Sequence, residues 1–426
     1  MENKYPSLSF SLYLHYFGKQ SEIIDENGME YLYNEIQTDI FELCTGLNTC
    51  SEIVEKLAVV YNANSKMFDE LKTSVMNFIK TQVNKNILVL KDVRESMNNI
   101  YGERGKFYPL ALSIEVTNKC NFSCPHCYKS ALHTGENIDP KVIDYIINNF
   151  AGKTRQIQLT GGEPFLNSNI SDYIEKLANY FEIRIPTNGS LLWHVDKTTL
   201  SKIGFVQISL YGCNEKEYFQ FTGNENAFNN LKISISKLNE CNVSNILTVI
   251  LSKKNINRIE EYIITGIKLG AQRIKFGVPT AIGRAEEKAN EGIFSLSDEE
   301  MRFAYRQMRL LKTKYRNEIS VGIWSHRSQE TIKPLFAGEV FNNMPPCGAG
   351  YLSYVISQNG RLRPCELLPE SYFDLGDYMQ LENYINGNFF TNYNQVFRTY
   401  NSNKKQEMNE IENICKPIMT LFKNIN

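Results

Sequence analysis

The stretch Leu112-Ser-Ile-Glu-Val-Thr-Asn-Lys-Cys120-Asn-Phe-Ser-Cys124-Pro-His-Cys127 decides the fold. Its first half, with Leu112, Ile114 and Val116 at alternate positions, predicts a β-strand, and its second half sets three thiols on the loop that follows. Thiolates are soft ligands that select iron–sulfur clusters or zinc over hard cations. Three on one loop, with no fourth cysteine nearby, leave a metal coordination position open for a substrate or cofactor. A zinc site completed by His126 or His133 is the alternative, since catalytic zinc also uses three protein ligands.

Outward from this loop, strand-like runs at 157–159, 183–185, 206–210, 246–250 and 274–278 alternate with helical stretches at 142–150, 170–180, 197–203, 227–238 and 256–269. Each helical stretch is long enough for a crossover. Repeated βα units predict an α/β domain over 109–330 with a parallel sheet of six strands, a partial or full barrel, and ligands at the carboxyl ends of its strands. Those ends carry Thr160-Gly161-Gly162-Glu163-Pro164, then Thr187-Asn188-Gly189, then Ser209, then Gly283-Arg284-Ala285. Two glycines let backbone carbonyls approach a ligand, Glu163 favours a nearby positive charge, and Arg284 is able to pair a carboxylate bidentately.

The flanks read differently. Residues 1–95 begin with short apolar runs at Leu12-Tyr13-Leu14 and Glu22-Ile23-Ile24, an Asn27-Gly28 hairpin turn before Tyr31-Leu32-Tyr33, then three stretches at helical spacing and a last strand at 87–90. This is a winged-helix-like pattern. The polar segment from Asp92 to Lys106 reads as a linker, placed at 96–108. After Pro345-Pro346 short strands and turns predict a small third domain over 340–426.

Charge and composition narrow the function. With 46 Lys plus Arg against 47 Asp plus Glu, no global excess exists to hold a phosphate backbone or an anionic membrane. No run of about 18 apolar residues spans a bilayer, and the N-terminus lacks a secretory pattern, so a cytoplasmic protein without nucleic-acid or membrane partners is expected. In a reducing compartment the ten cysteines read as ligands, reactive thiols or packing groups rather than disulfides.

The C-x3-C-x2-C loop, with His126 in the aromatic-type position before its last cysteine, resembles the radical S-adenosylmethionine superfamily, and the GGEP segment supports the match independently. The resemblance implies a partial (β/α)6 barrel and a 4Fe-4S cluster on Cys120, Cys124 and Cys127, whose open iron chelates S-adenosylmethionine and cleaves it to a 5′-deoxyadenosyl radical. It implies that His126, Gly161, Gly162, Glu163, Pro164, Asn188, Ser209 and Arg284 contact that cofactor, and that an electron donor such as flavodoxin or ferredoxin is a partner. One departure stands out. Many relatives carry Leu-Asp-Gly after the fourth strand and then HD-x-x-R, whereas this chain has Leu210-Tyr211-Gly212-Cys213 and then Tyr218, Phe219 and Thr222.

Residues 8–92 resemble the PqqD-like element that binds leader peptides of ribosomally made precursors, where an extended leader adds a strand to a sheet edge. The C-terminal part is similar to a SPASM or shortened twitch domain: Cys347, Gly360 and Cys365 fit its C-x12-G-x4-C opening, with only Cys415 beyond. Three cysteines cannot supply eight ligands, so either one auxiliary iron–sulfur cluster on Cys347, Cys365 and Cys415 or none is expected. Cys44 reads as core, Cys50 and Cys241 as structural. Cys213, after the fourth strand, suits a hydrogen donor if the enzyme is an epimerase, and a packing role otherwise. Together these imply a precursor-peptide maturase of the sactipeptide or ranthipeptide kind, forming a thioether or carbon–carbon crosslink. The alternatives are peptidyl epimerisation, a non-catalytic leader-binding or regulatory protein, and an anaerobic sulfatase maturase.

Overall fold

The computed structural model describes residues 1–24, 30–97, 99–277, 282–287, 292–294, 296–323, 349–350, 352–367 and 374–387. The chain divides into two compact units, one built mainly from residues 1–110 and the other from residue 111 onward.

The first unit runs β1 (Tyr5–Leu8), β2 (Tyr13–Phe17), β3 (Gln20–Ile24), β4 (Glu30–Tyr33), α1 (Glu35–Leu43), α2 (Cys50–Val60), α3 (Ser65–Asn84), β5 (Leu88–Lys91) and β6 (Ile100–Tyr101). Strands β2, β3 and β4 form an antiparallel meander with β4 at the sheet's edge, while β1 and β5 pair separately. Each helix starts where a side-chain oxygen can satisfy an orphan N–H: Asn34 with Gln37 and Thr49 with Glu52 form capping boxes, and Asn64 accepts from the Met67 amide. The apolar helix faces bury Ile40, Phe41, Ile53, Val54, Leu57, Val75 and Ile79 in one core with Leu14 and Ile23 of the sheet. Cys44 and Cys50 belong to that core. The expected Asn27-Gly28 turn lies outside the described residues.

The segment read as a linker instead supplies β6, which pairs in parallel with β2 through Leu14↔Ile100 and His15↔Tyr101. A strand of two residues is too short to leave a periodic signal. Beneath it His15 is fully buried, its Nδ1 at 2.7 Å from Glu22 Oε1 and its Nε2 at 2.8 Å from the Tyr108 carbonyl.

The second unit lays β7 (Ala111–Thr117), β8 (Gln156–Gly161), β9 (Glu182–Thr187), β10 (Ile203–Ser209), β11 (Ser244–Ile250), β12 (Arg273–Gly277) and β13 (Ser320–Ile323) side by side in chain order, all parallel. The first six are the expected strands, and β13 adds a seventh. Between and after them lie α4 (Pro140–Phe150), α5 (Ile170–Leu177), α6 (Lys197–Leu200), α7 (Glu215–Thr222), α8 (Ala227–Glu240), α9 (Ile259–Lys268), α10 (Arg284–Glu287) and α11 (Asp298–Lys314). One face of every strand is apolar and buried, for instance Leu112, Ile114, Ile157, Leu159, Ile183, Ile185, Val206, Ile208, Leu247 and Ile274. Alternation puts Ser113, Gln158, Arg184, Gln207 and Lys275 on the other face, each only half-buried, which gives the barrel a polar interior.

A strand pair turning at Asn359-Gly360 is present, with Gly360 at φ +80°. Its strands, β14 (Ser353–Ile356) and β15 (Leu362–Arg363), extend the barrel sheet, because β14 pairs in parallel with β7. Arg363 of β15 and Lys129 of the cysteine loop both bridge to buried Glu115 of β7, and the Tyr128 hydroxyl donates to Glu366 at 3.1 Å. Among the described residues no helix is long and apolar enough to cross a membrane.

Breaking the His15 pair leaves a polar ring buried without its partner. Glu22→Ala is therefore expected to destabilise the protein by about 3 kcal/mol in denaturant unfolding. A loss within the error of the measurement would show that the pair contributes nothing.

Candidate active site

The cysteine loop runs from the end of β7 to the start of α4 and is fixed along its length. The Cys120 amide donates to the Leu132 carbonyl at 2.7 Å, Asn118 and Glu136 exchange bonds, and His133 Nδ1 lies 3.0 Å from the Cys120 carbonyl. Within it, the Cys127 amide donates to the Cys124 carbonyl at 3.2 Å. Cys120 and Cys124 are buried and Cys127 is half-buried. Burial pushes the Cys120 thiol up to about 11 and the Cys124 thiol up to about 12. Metal binding must displace those protons.

The end of β8 closes on this loop. A Cβ on Gly161 would stand 2.0 Å from the Thr117 carbonyl oxygen, and one on Gly162 would stand 2.0 Å from that of Lys119. Both glycines are therefore required by the approach of two backbones, and Gly161 also has φ +136°. The Gly162 and Glu163 amides donate to those same carbonyls at 2.8 and 2.7 Å. Glu163 is wholly buried, accepting from the Thr187 hydroxyl at 2.7 Å, the Asn188 amide at 2.8 Å and the Phe165 amide at 3.3 Å. Burial raises its carboxyl to about 7 against the pull of those hydrogen bonds. Pro164 opens the short turn of 3-10 helix Pro164–Leu166 that follows.

The end of β9 joins in. Asn188 Nδ2 donates to Asn121 Oδ1 at 2.8 Å, and Asn121 Nδ2 donates to the Ser190 hydroxyl at 2.9 Å. Asn121, between the first two cysteines, escaped the sequence reading because a lone amide on a loop gives no pattern. Ser209 ends β10 beside Tyr218, whose hydroxyl donates to the Ser209 carbonyl at 3.0 Å.

His126 sits in an aromatic box, 5.4 Å from Phe221, 5.9 Å from Phe294 and 6.0 Å from Tyr211 between ring centroids. Burial, with a lesser push from the Arg284 charge, lowers the imidazole to about 4, so it is neutral at physiological pH. Tyr211, standing where many relatives carry Asp, stacks on Phe221 at 4.7 Å, and its side chain lies close to Cys124. The position was visible in sequence as a departure, but not what the ring would touch.

Arg284 directs Nε to the Cys124 carbonyl at 2.9 Å and Nη1 to the Ala131 carbonyl at 2.8 Å, so it grips the loop rather than standing free for a carboxylate. Cys213 lies against Thr265 of α9 and lines a groove of about 780 Å³ with Phe228, Lys232 and Ser236 of α8, in the layer of helices. Burial pushes its thiol up to about 11. Cys365 is half-buried just after β15, and its sulfur accepts from the Leu367 amide at 3.4 Å. Cys347 and Cys415 lie outside the described residues.

The donor set suits an iron–sulfur cluster. His133, a histidine that a zinc site could have used, is engaged with the Cys120 carbonyl. In a cluster each thiolate takes a different iron, so the three sulfurs of one loop need not meet at a single point.

Residues 114–264 match the family model of the Radical SAM superfamily, and the chain carries a radical SAM domain. It is 24% identical over 297 residues to the sporulation killing factor maturation protein SkfB of Bacillus subtilis, a match covering 66% of this chain and 68% of that one. To the antilisterial bacteriocin subtilosin biosynthesis protein AlbA of the same organism it is 25% identical over 364 residues, covering 82% of this chain and 75% of the other. The fold matches that of Streptococcus suis SuiB bound to S-adenosylmethionine, with TM-score 0.59 at 16% identity over 88% of this chain and 86% of SuiB.

Because the folded pKa of Glu163 lies above its ordinary value of 4.5, the stability it contributes is fully present below that value and is lost as pH rises through about 7. The unfolding free energy of metal-free wild type, measured against Glu163→Gln, should fall by about 3 kcal/mol between pH 4.5 and 7.5. A pH-independent difference would contradict the burial of an ionisable carboxyl there.

Proposed function

We propose that the protein is a radical S-adenosylmethionine enzyme that modifies a ribosomally made precursor peptide by oxidative thioether or carbon–carbon crosslinking. The observation that carries this is the three-thiol loop held against the ends of β8 and β9 in a parallel barrel, in a chain similar to a maturation protein and a bacteriocin biosynthesis protein. Cys120, Cys124 and Cys127 hold the 4Fe-4S cluster, which when bound with S-adenosylmethionine supplies a hydrogen-abstracting radical. The chain's own residues shape the rest. Glu163 and Asn188 set the strand ends where the cofactor's methionine group lies, neutral His126 presents an uncharged face to it, and the polar barrel interior admits a peptide backbone.

Strand β4, which ends the order of the described sheet in the first unit, is the proposed leader dock, since an extended leader can add a strand at a sheet edge. A flavodoxin or ferredoxin supplies the electron, and the enzyme works in the cytoplasm. Crosslinking is favoured over epimerisation by the setting of Cys213 among the outer helices, where a hydrogen donor to a peptide radical is poorly placed. Incubated with reductant, S-adenosylmethionine and the precursor encoded beside its gene, the reconstituted protein is expected to yield 5′-deoxyadenosine and a peptide lighter by two hydrogens. Product of unchanged mass carrying deuterium from heavy water would establish epimerisation instead, and leader binding without any 5′-deoxyadenosine would establish a non-catalytic binding protein.

A further inference from the structure

The cysteine loop is gripped from a second side, by the segment that follows β12. Gly283 has φ +61°, and a Cβ there would meet the carbonyl oxygens of Tyr128 and Cys127 at 2.5 and 2.7 Å. This glycine thus lets the segment lie directly on the loop. The Arg284 amide donates to the Cys127 carbonyl at 3.0 Å, while its side chain holds the carbonyls of Cys124 and Ala131. A single residue therefore ties down three carbonyls between Cys124 and Ala131. A guanidinium is suited to this because its fork is planar and its charge is permanent.

We propose that Arg284 is a positioning residue for the iron–sulfur cluster, fixing the Cys124 to Cys127 segment through its carbonyls and favouring the reduced, more negative cluster through its charge. This rests on the reading of Cys120, Cys124 and Cys127 as cluster ligands. A fixed positive charge beside a cluster stabilises the added electron, and the surroundings of a cluster are known levers on its potential.

The two contributions separate in two variants. Arg284→Lys keeps the charge and loses the fork, whereas Arg284→Gln loses both. Iron and sulfide are first counted in the reconstituted wild type; a chain that holds none overturns the ligand reading and this proposal with it. In a loaded wild type, release of iron to a chelator is expected to be several-fold slower than in either variant. The midpoint potential of Arg284→Gln, followed by electron paramagnetic resonance, should fall by the equivalent of a tenfold change in the reduction equilibrium, about 59 mV for one electron. Arg284→Lys should stay close to wild type in potential. Wild-type iron release in both variants, or an unchanged potential in Arg284→Gln, would overturn the proposal. If neither variant folds by circular dichroism, Gly283→Ala takes their place, since it lifts the segment from the loop with the arginine intact. Faster iron release in it supports the proposal, and wild-type release overturns it.

Discussion

The second unit is organised around one constraint: a loop carrying three thiols, two of them buried, must be held in place by contacts other than those of its sulfurs. Removing Cys120 and Cys124 from water disfavours the thiolates that bind metal, so the loop gains nothing from its sulfurs until a cluster arrives. Its conformation has to come from elsewhere. It comes from loop carbonyls that accept from Gly162, Glu163 and Arg284, and from the Asn121 side chain, which accepts from that of Asn188. The glycines follow from the same constraint, because a loop this tightly laced leaves no space for a Cβ at 161 or 162.

That constraint explains what was legible in the sequence. The strands of the barrel alternate or run apolar over five to seven residues, and the thiol spacing is a pattern by itself, so the six βα units and the ligand loop are readable. The residues that lace the loop are not. Asn121, Tyr211 and Arg284 are single side chains brought together from positions up to 163 residues apart, and no local period marks them. Strand β6 was hidden for another reason: it has two residues and is stabilised by β2, a neighbour far away in sequence, whereas the pair of β14 and β15 was marked by its Asn359-Gly360 turn. For Cys213 a position after a strand left a hydrogen donor and a packing role both open, and only the fold brings its side chain to Thr265.

The first unit solves a different problem with the same economy. Three capped helices cover one side of a short antiparallel meander and bury its apolar residues, and among the described strands β4 stands at the end of that sheet. A strand edge is a hazard in most proteins, and the leader dock proposed above would put it to use.

The central claim is that Cys120, Cys124 and Cys127 leave one iron free to take S-adenosylmethionine. It is tested most directly by the electron paramagnetic resonance spectrum of the reconstituted, reduced protein before and after the cofactor is added. The account predicts a spectrum that changes on addition, with the change abolished when the three cysteines are replaced by alanine. A loaded protein whose spectrum is indifferent to S-adenosylmethionine would contradict it.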